Sequence, residues 1–103
     1  MMNMRKAEIY QGNKIEILEM FLKNADNQLE LSWKMCFENT VHWMTFSSVS
    51  RFRLGEVSIP LEIRGFEMIS HFQSGWEKDS TYEVRDFEDD RVNFFCECFR
   101  IDE

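Results

Sequence analysis

Leu61-Glu-Ile-Arg-Gly-Phe-Glu-Met-Ile69, Thr81-Tyr-Glu-Val-Arg-Asp-Phe87 and Arg91-Val-Asn-Phe-Phe-Cys-Glu-Cys-Phe-Arg-Ile101 are three segments in which apolar and polar residues alternate. Alternation sends side chains to opposite faces of an extended chain, so each segment reads as a strand. A Gly75-Trp76 turn separates the first from the second, and the acidic corner Glu88-Asp89-Asp90 separates the second from the third. The last two form a hairpin. A hairpin alone is not stable in water, so the rest of the chain must supply strands that cover it.

The upstream chain supplies them. Gln28 to Met35 alternates Leu29, Leu31, Trp33 and Met35 with Gln28, Glu30, Ser32 and Lys34, which gives one core face and one solvent face. In Thr40 to Phe46, Val41, Trp43 and Thr45 alternate with His42, Met44 and Phe46, so both faces are apolar and the strand is central. Val49 to Leu54 follows a break at Ser47-Ser48, with Gly55-Glu56 as its turn, and Pro60 stands where a strand begins. Between Leu61 and Ile69 the apolar phase changes at Gly65, the signature of a β-bulge.

Lys14 to Lys23 is ambiguous. Ile15, Leu18 and Leu22 share a helical stripe, while Ile15 and Ile17 start an alternation. Asn24-Ala25-Asp26-Asn27 is a four-residue turn signal ahead of a clear strand, which favours strand. The expectation is one all-β domain over residues 1–103, with about seven antiparallel strands in a small sandwich or partly open barrel and residues 14–23 as a short helix in the alternative. A chain of 103 residues buries about two-thirds of its unfolded surface, enough for a core without staples.

The net charge of −7 is a poor footprint for nucleic acid or an anionic membrane, and suits a basic protein partner or plain solubility. Met1 to Tyr10 holds no apolar core of a signal peptide, and the three cysteines read as free thiols in a reducing cytoplasm.

Few residues suggest chemistry. Asp86, Glu88, Asp89 and Asp90 are oxygen ligands in number, without the spacing and mid-loop glycine of a calcium loop. A solvated hairpin tip that discourages edge pairing is the plainer reading. Cys96 and Cys98 fall on one face of a continuous strand about 7 Å apart, and no spacing brings His42, His71 or Cys36 to them. His42 reads as a core residue, and His71 has no nucleophile in register with it. Arg51-Phe-Arg53 is an isolated basic spot. No catalytic residue, metal ligand or cofactor is assigned, and the chain is read as a non-enzyme. The candidate partner-binding residues are Trp76, Glu77, Asp79, Glu88, Asp89 and Asp90: an aromatic anchor with an acidic rim, if Trp76 does not fold back to cap the core.

Val49-Ser50, Pro60-Leu-Glu-Ile-Arg-Gly-Phe-Glu67, Gly75-Trp76, Tyr82-Glu-Val-Arg-Asp-Phe-Glu88 and Phe94-Phe-Cys-Glu97 together resemble small uncharacterised bacterial β-rich proteins, mostly of Gram-positive genomes. Similar short acidic proteins serve as immunity proteins of polymorphic toxin systems. The resemblance spans about residues 40–101 and holds no catalytic motif. It implies a small cytoplasmic protein-binding domain of the toxin-inhibitor kind. The alternatives are a self-associating β-domain that forms a homodimer, favoured by seven Met and ten Phe in so short a chain, and a ligand- or metal-binding barrel.

Overall fold

The structure, a computed structural model, describes residues 14–55, 58–70 and 82–102. Among them are nine strands: β1 (Ile15–Ala25), β2 (Gln28–Phe37), β3 (Thr40–Ser47), β4 (Ser50–Leu54), β5 (Leu61–Ile63), β6 (Phe66–Ser70), β7 (Tyr82–Asp86), β8 (Val92–Cys96) and β9 (Cys98–Asp102). They form two antiparallel sheets, one ordered β5-β1-β2-β3-β9 and the other β4-β8-β7-β6. The sheets face each other as a sandwich and do not close into a barrel.

Residues 15–23 are strand, as the alternation favours, and Lys14 precedes it. A bulge between Ile17 and Glu19 in the β1–β2 ladder shifts the phase by one. Ile15 and Ile17 therefore point inward before it, while Met20 pairs with the core residue Trp33 after it. That shift is why the sequence also carries a helical stripe. The turn after β1 is shorter than expected. Ala25 pairs with Gln28, leaving Asp26 and Asn27 as a two-residue loop with φ of 53° and 64°. Positive φ at both central positions is what the right-handed twist of a hairpin demands, and Asp and Asn tolerate it. Glu38 and Asn39 repeat the arrangement between β2 and β3, at 50° and 64°.

Two expected strands are each divided between the sheets. Leu61 and Ile63 are buried from β5, Phe66 and Met68 from β6. The phase change at Gly65 is thus a crossing from one sheet to the other, and not a bulge. The last strand divides at Glu97, whose N–H donates to the Ser47 carbonyl at 3.0 Å. Val92, Phe94 and Cys96 are buried before it, Phe99 and Ile101 after it. Cys96 and Cys98 consequently belong to different sheets; one is buried and the other exposed. A third crossing joins β3 to β4 at Ser48 and Val49, where the Val49 N–H donates to the Leu29 carbonyl at 2.8 Å. Strands that pass between sheets in this way build the corners of a sandwich.

One apolar cluster fills the space between the sheets. Trp33 of β2 is fully buried at its centre. Its ring meets Phe46 at 4.9 Å, Phe94 at 5.9 Å and Phe66 at 6.2 Å, all edge to face. Phe46 comes from the same sheet as Trp33, Phe66 and Phe94 from the other, so this contact set joins the two layers.

Candidate interaction surface

The acidic corner is a built structure. Asp86, at the end of β7, is buried, and its carboxylate accepts from the N–H groups of Glu88 at 3.2 Å, Asp89 at 3.3 Å and Arg91 at 3.2 Å. The Asp90 N–H donates to the Asp86 carbonyl at 3.0 Å. The turn rests on Gly65: the Phe87 N–H donates to the Gly65 carbonyl at 2.9 Å. A Cβ on Gly65 would lie 2.6 Å from Glu88 Cγ and 2.9 Å from Glu88 N.

Two arginines then cover two of the remaining carboxylates. Arg64 binds Asp89 through both oxygens, and Arg53 Nη2 reaches Asp90 Oδ1 at 2.9 Å. Hydrogen bonding and the charge of Arg64 hold the Asp89 carboxyl below its usual range. Asp89 and Asp90 thus face internal cations, while Glu88 is exposed. Trp76, Glu77, Asp79 and His71 lie outside the described residues.

The other suggested chemistry does not assemble. Among the described residues, no group of three His, Cys, Asp or Glu side chains could hold a metal ion. Burial, followed by the nearby Cys98, pushes the Cys96 thiol far up. His42 is buried on the inner face opposite Met35. Arg51 stands over the Phe95 ring at 5.2 Å. An open cleft of about 370 Å³ lies between Lys14, Cys36, Glu38 and Glu62. No helix among the described residues is long and apolar enough to cross a membrane.

The outer face of the five-stranded sheet carries the surface that the sequence reading missed. Cross-strand register sets Glu19, Lys34, Trp43 and Asp102 in one row, and Phe21, Ser32, Thr45 and Arg100 in the next. The small Ser32 side chain, hydrogen-bonded to Thr45 at 3.1 Å, lets Phe21 reach across β2. Phe21 stacks on Trp43 with centroids 5.8 Å apart and planes 20° from parallel. Phe21 is 54% exposed and Val41, on the same face, 45%. The surrounding charges are paired within the sheet: Lys34 with Glu19, Lys23 with Glu30, Arg100 with Asp102. Met20-Phe21-Leu22 was the legible signal, since three apolar residues in a row must turn at least one outward on a strand.

No family model matches the chain, and neither a curated protein nor a solved structure does.

Proposed function

We propose that this chain is a non-enzymatic protein-binding domain that recognises a basic protein through the outer face of its five-stranded sheet. The observation that carries the reading is the exposed Phe21 stacked on the half-buried Trp43 on that face. Aromatic side chains give large contact area with few rotors, and a ring of charges already paired to one another leaves the aromatic pair as the anchor. The net charge of −7 draws a basic partner from a distance. An inhibitor of a toxin, acting in the cytoplasm as an immunity protein, is the specific form that the resemblance of residues 40–101 suggests. Its acidic tip contributes Glu88 to steering, with Asp89 and Asp90 committed to Arg64 and Arg53.

The test is capture of partners from the native host by the tagged chain, run beside Trp43→Ala and Val41→Glu. Both substitutions change the outer face and leave the core intact. A basic protein retained by the wild type and lost by both folded variants supports the reading. Equal retention by all three, or recovery of the bait alone, removes it.

A further inference from the structure

We propose that two copies of the chain pair along the outer edge of β1 in a two-fold, antiparallel contact centred on Phe21. β5 covers that edge only at Ile15, Glu16 and Ile17. Among the described residues, nothing pairs with the same side of β1 from Glu19 to Ala25. An open edge of this length is a template for another strand.

The hairpin fixes which groups the edge offers. In a two-residue hairpin the flanking pair, Ala25 and Gln28, exchanges its main-chain bonds. Counting back by alternation, Lys23, Phe21 and Glu19 turn their N–H and C=O toward β2, while Asn24, Leu22 and Met20 turn theirs to the free edge. A second β1 must therefore bond through those even positions.

Side-chain chemistry selects one such register. With Phe21 opposite itself, Met20 faces Leu22 of the second copy as a bonded pair, and Glu19 faces Lys23, which extends the in-sheet pairs Glu19–Lys34 and Lys23–Glu30 into one row of alternating sign. The two-fold repeats both contacts, so the outer face of the junction reads Glu–Lys, Phe–Phe, Lys–Glu. Opposite charges and paired aromatics across a ladder are the stabilising arrangements. A shift by two residues in either direction loses both ion pairs. The exposed apolar residues agree with this edge, Phe21 being 54% and Leu22 48% exposed. The contact requires each hairpin tip to pass the β5 of the other copy. The bulge between Ile17 and Glu19 bends β1 at that point, and such bulges increase local twist. The paired segment is short, below the area of a standard stable interface, so the dimer is weak and depends on concentration. This inference goes beyond the partner-binding reading and does not rest on it.

Sedimentation equilibrium of the full chain, from about 1 μM to about 500 μM, tests it against E19K and K23E. The wild type should dimerise within this range. Each variant sets like charges opposite one another and should weaken the dimer at least tenfold. An equimolar mixture of the two sets basic positions against acidic ones and should recover association. A wild-type monomer throughout overturns the proposal. So does a dimer indifferent to both variants, or a mixture no tighter than its components. Exposed sheet charges tolerate substitution; K23Q, which removes one ion pair without repulsion, should fall between wild type and K23E. Val41→Glu, paired with Cys36 and not with β1, leaves that edge untouched, so failure of one reading leaves the other testable.

Discussion

Arg64 grips Asp89 through both carboxylate oxygens, with Nε to Oδ2 at 3.0 Å and Nη2 to Oδ1 at 2.9 Å. Arg64 lies at the crossing from β5 to β6, and Asp89 in the turn from β7 to β8. The pair therefore ties a sheet crossing to a hairpin tip. Only a guanidinium offers this fork of donors to a carboxylate.

The pair makes stability depend on pH in one direction. The Asp89 carboxyl is held below its ordinary value of 3.8, first by the Arg64 hydrogen bond and then by the charges of Arg64 and Arg91. A carboxyl depressed in the folded state contributes stability above its unfolded value and loses it as pH falls through the folded value. The advantage of wild type over D89N should be full above about pH 4 and shrink below it. Arg64 stays charged throughout, so R64A should reproduce the D89N profile. Thermal melts of the three proteins across this range check it. A wild-type advantage that persists undiminished into strong acid would show that Asp89 acts through something other than its charge.

Gly65 answers to space. A methyl group there meets Glu88 Cγ at 2.6 Å and also the Glu88 backbone nitrogen at 2.9 Å. Gly65→Ala should therefore destabilise by about 1–3 kcal/mol, the usual cost of overpacking a filled site. Because the Glu88 backbone nitrogen and Phe87 Cδ1, at 3.1 Å, stay in place, adding Glu88→Ala should not restore stability. Denaturant unfolding of the single and double variants separates the cases; full rescue would make the side chain the sole obstacle.

How the fold could be read from the chain follows from what a strand records. Alternation reports the two faces, so Gln28 to Met35 and the β7–β8 hairpin were legible from pattern alone. It does not report which sheet a face belongs to. At Gly65 and Glu97 the phase shifts by one, and a bulge and a sheet crossing shift it identically. The separation of Cys96 from Cys98 was hidden for that reason. The acidic corner was legible as a turn, but its arginines were not. Arg64 and Arg53 stand far from it in sequence and arrive only when the sheets assemble. Trp43 was hidden differently: β3 is apolar on both faces, and only its register with Lys34 and Asp102 shows which face is outer.

Trp33 should dominate the core. It is fully buried between rings from both sheets. Trp33→Ala should cost about 3–5 kcal/mol by lost transfer energy and the cavity left behind. Trp33→Phe keeps an aromatic edge toward Phe46 and should cost less. Trp43→Ala, which truncates a half-buried ring on the outer face, should cost less than Trp33→Ala. Equilibrium unfolding of the three variants gives the order, and an outer-face variant as damaging as Trp33→Ala would contradict this placement of the core.

The thiols should separate by reactivity. The thiolate is the reacting species, so a thiol is slow when it is buried and its ionisation is suppressed. Cys96 meets both conditions: it is fully buried, and burial together with Cys98 pushes its thiol far above the ordinary 9.0. Cys98 is exposed at the start of β9, and Cys36 is half-buried on β2. A timed maleimide pulse on the native protein should label Cys98 first and Cys36 later. Cys96 should react only as the domain opens, at a rate that rises with denaturant in step with global unfolding. Peptide mapping by mass spectrometry reads the three sites separately. Labelling of Cys96 as fast as Cys98 under native conditions would mean that the two lie on one accessible strand face, and the crossing at Glu97 would be wrong.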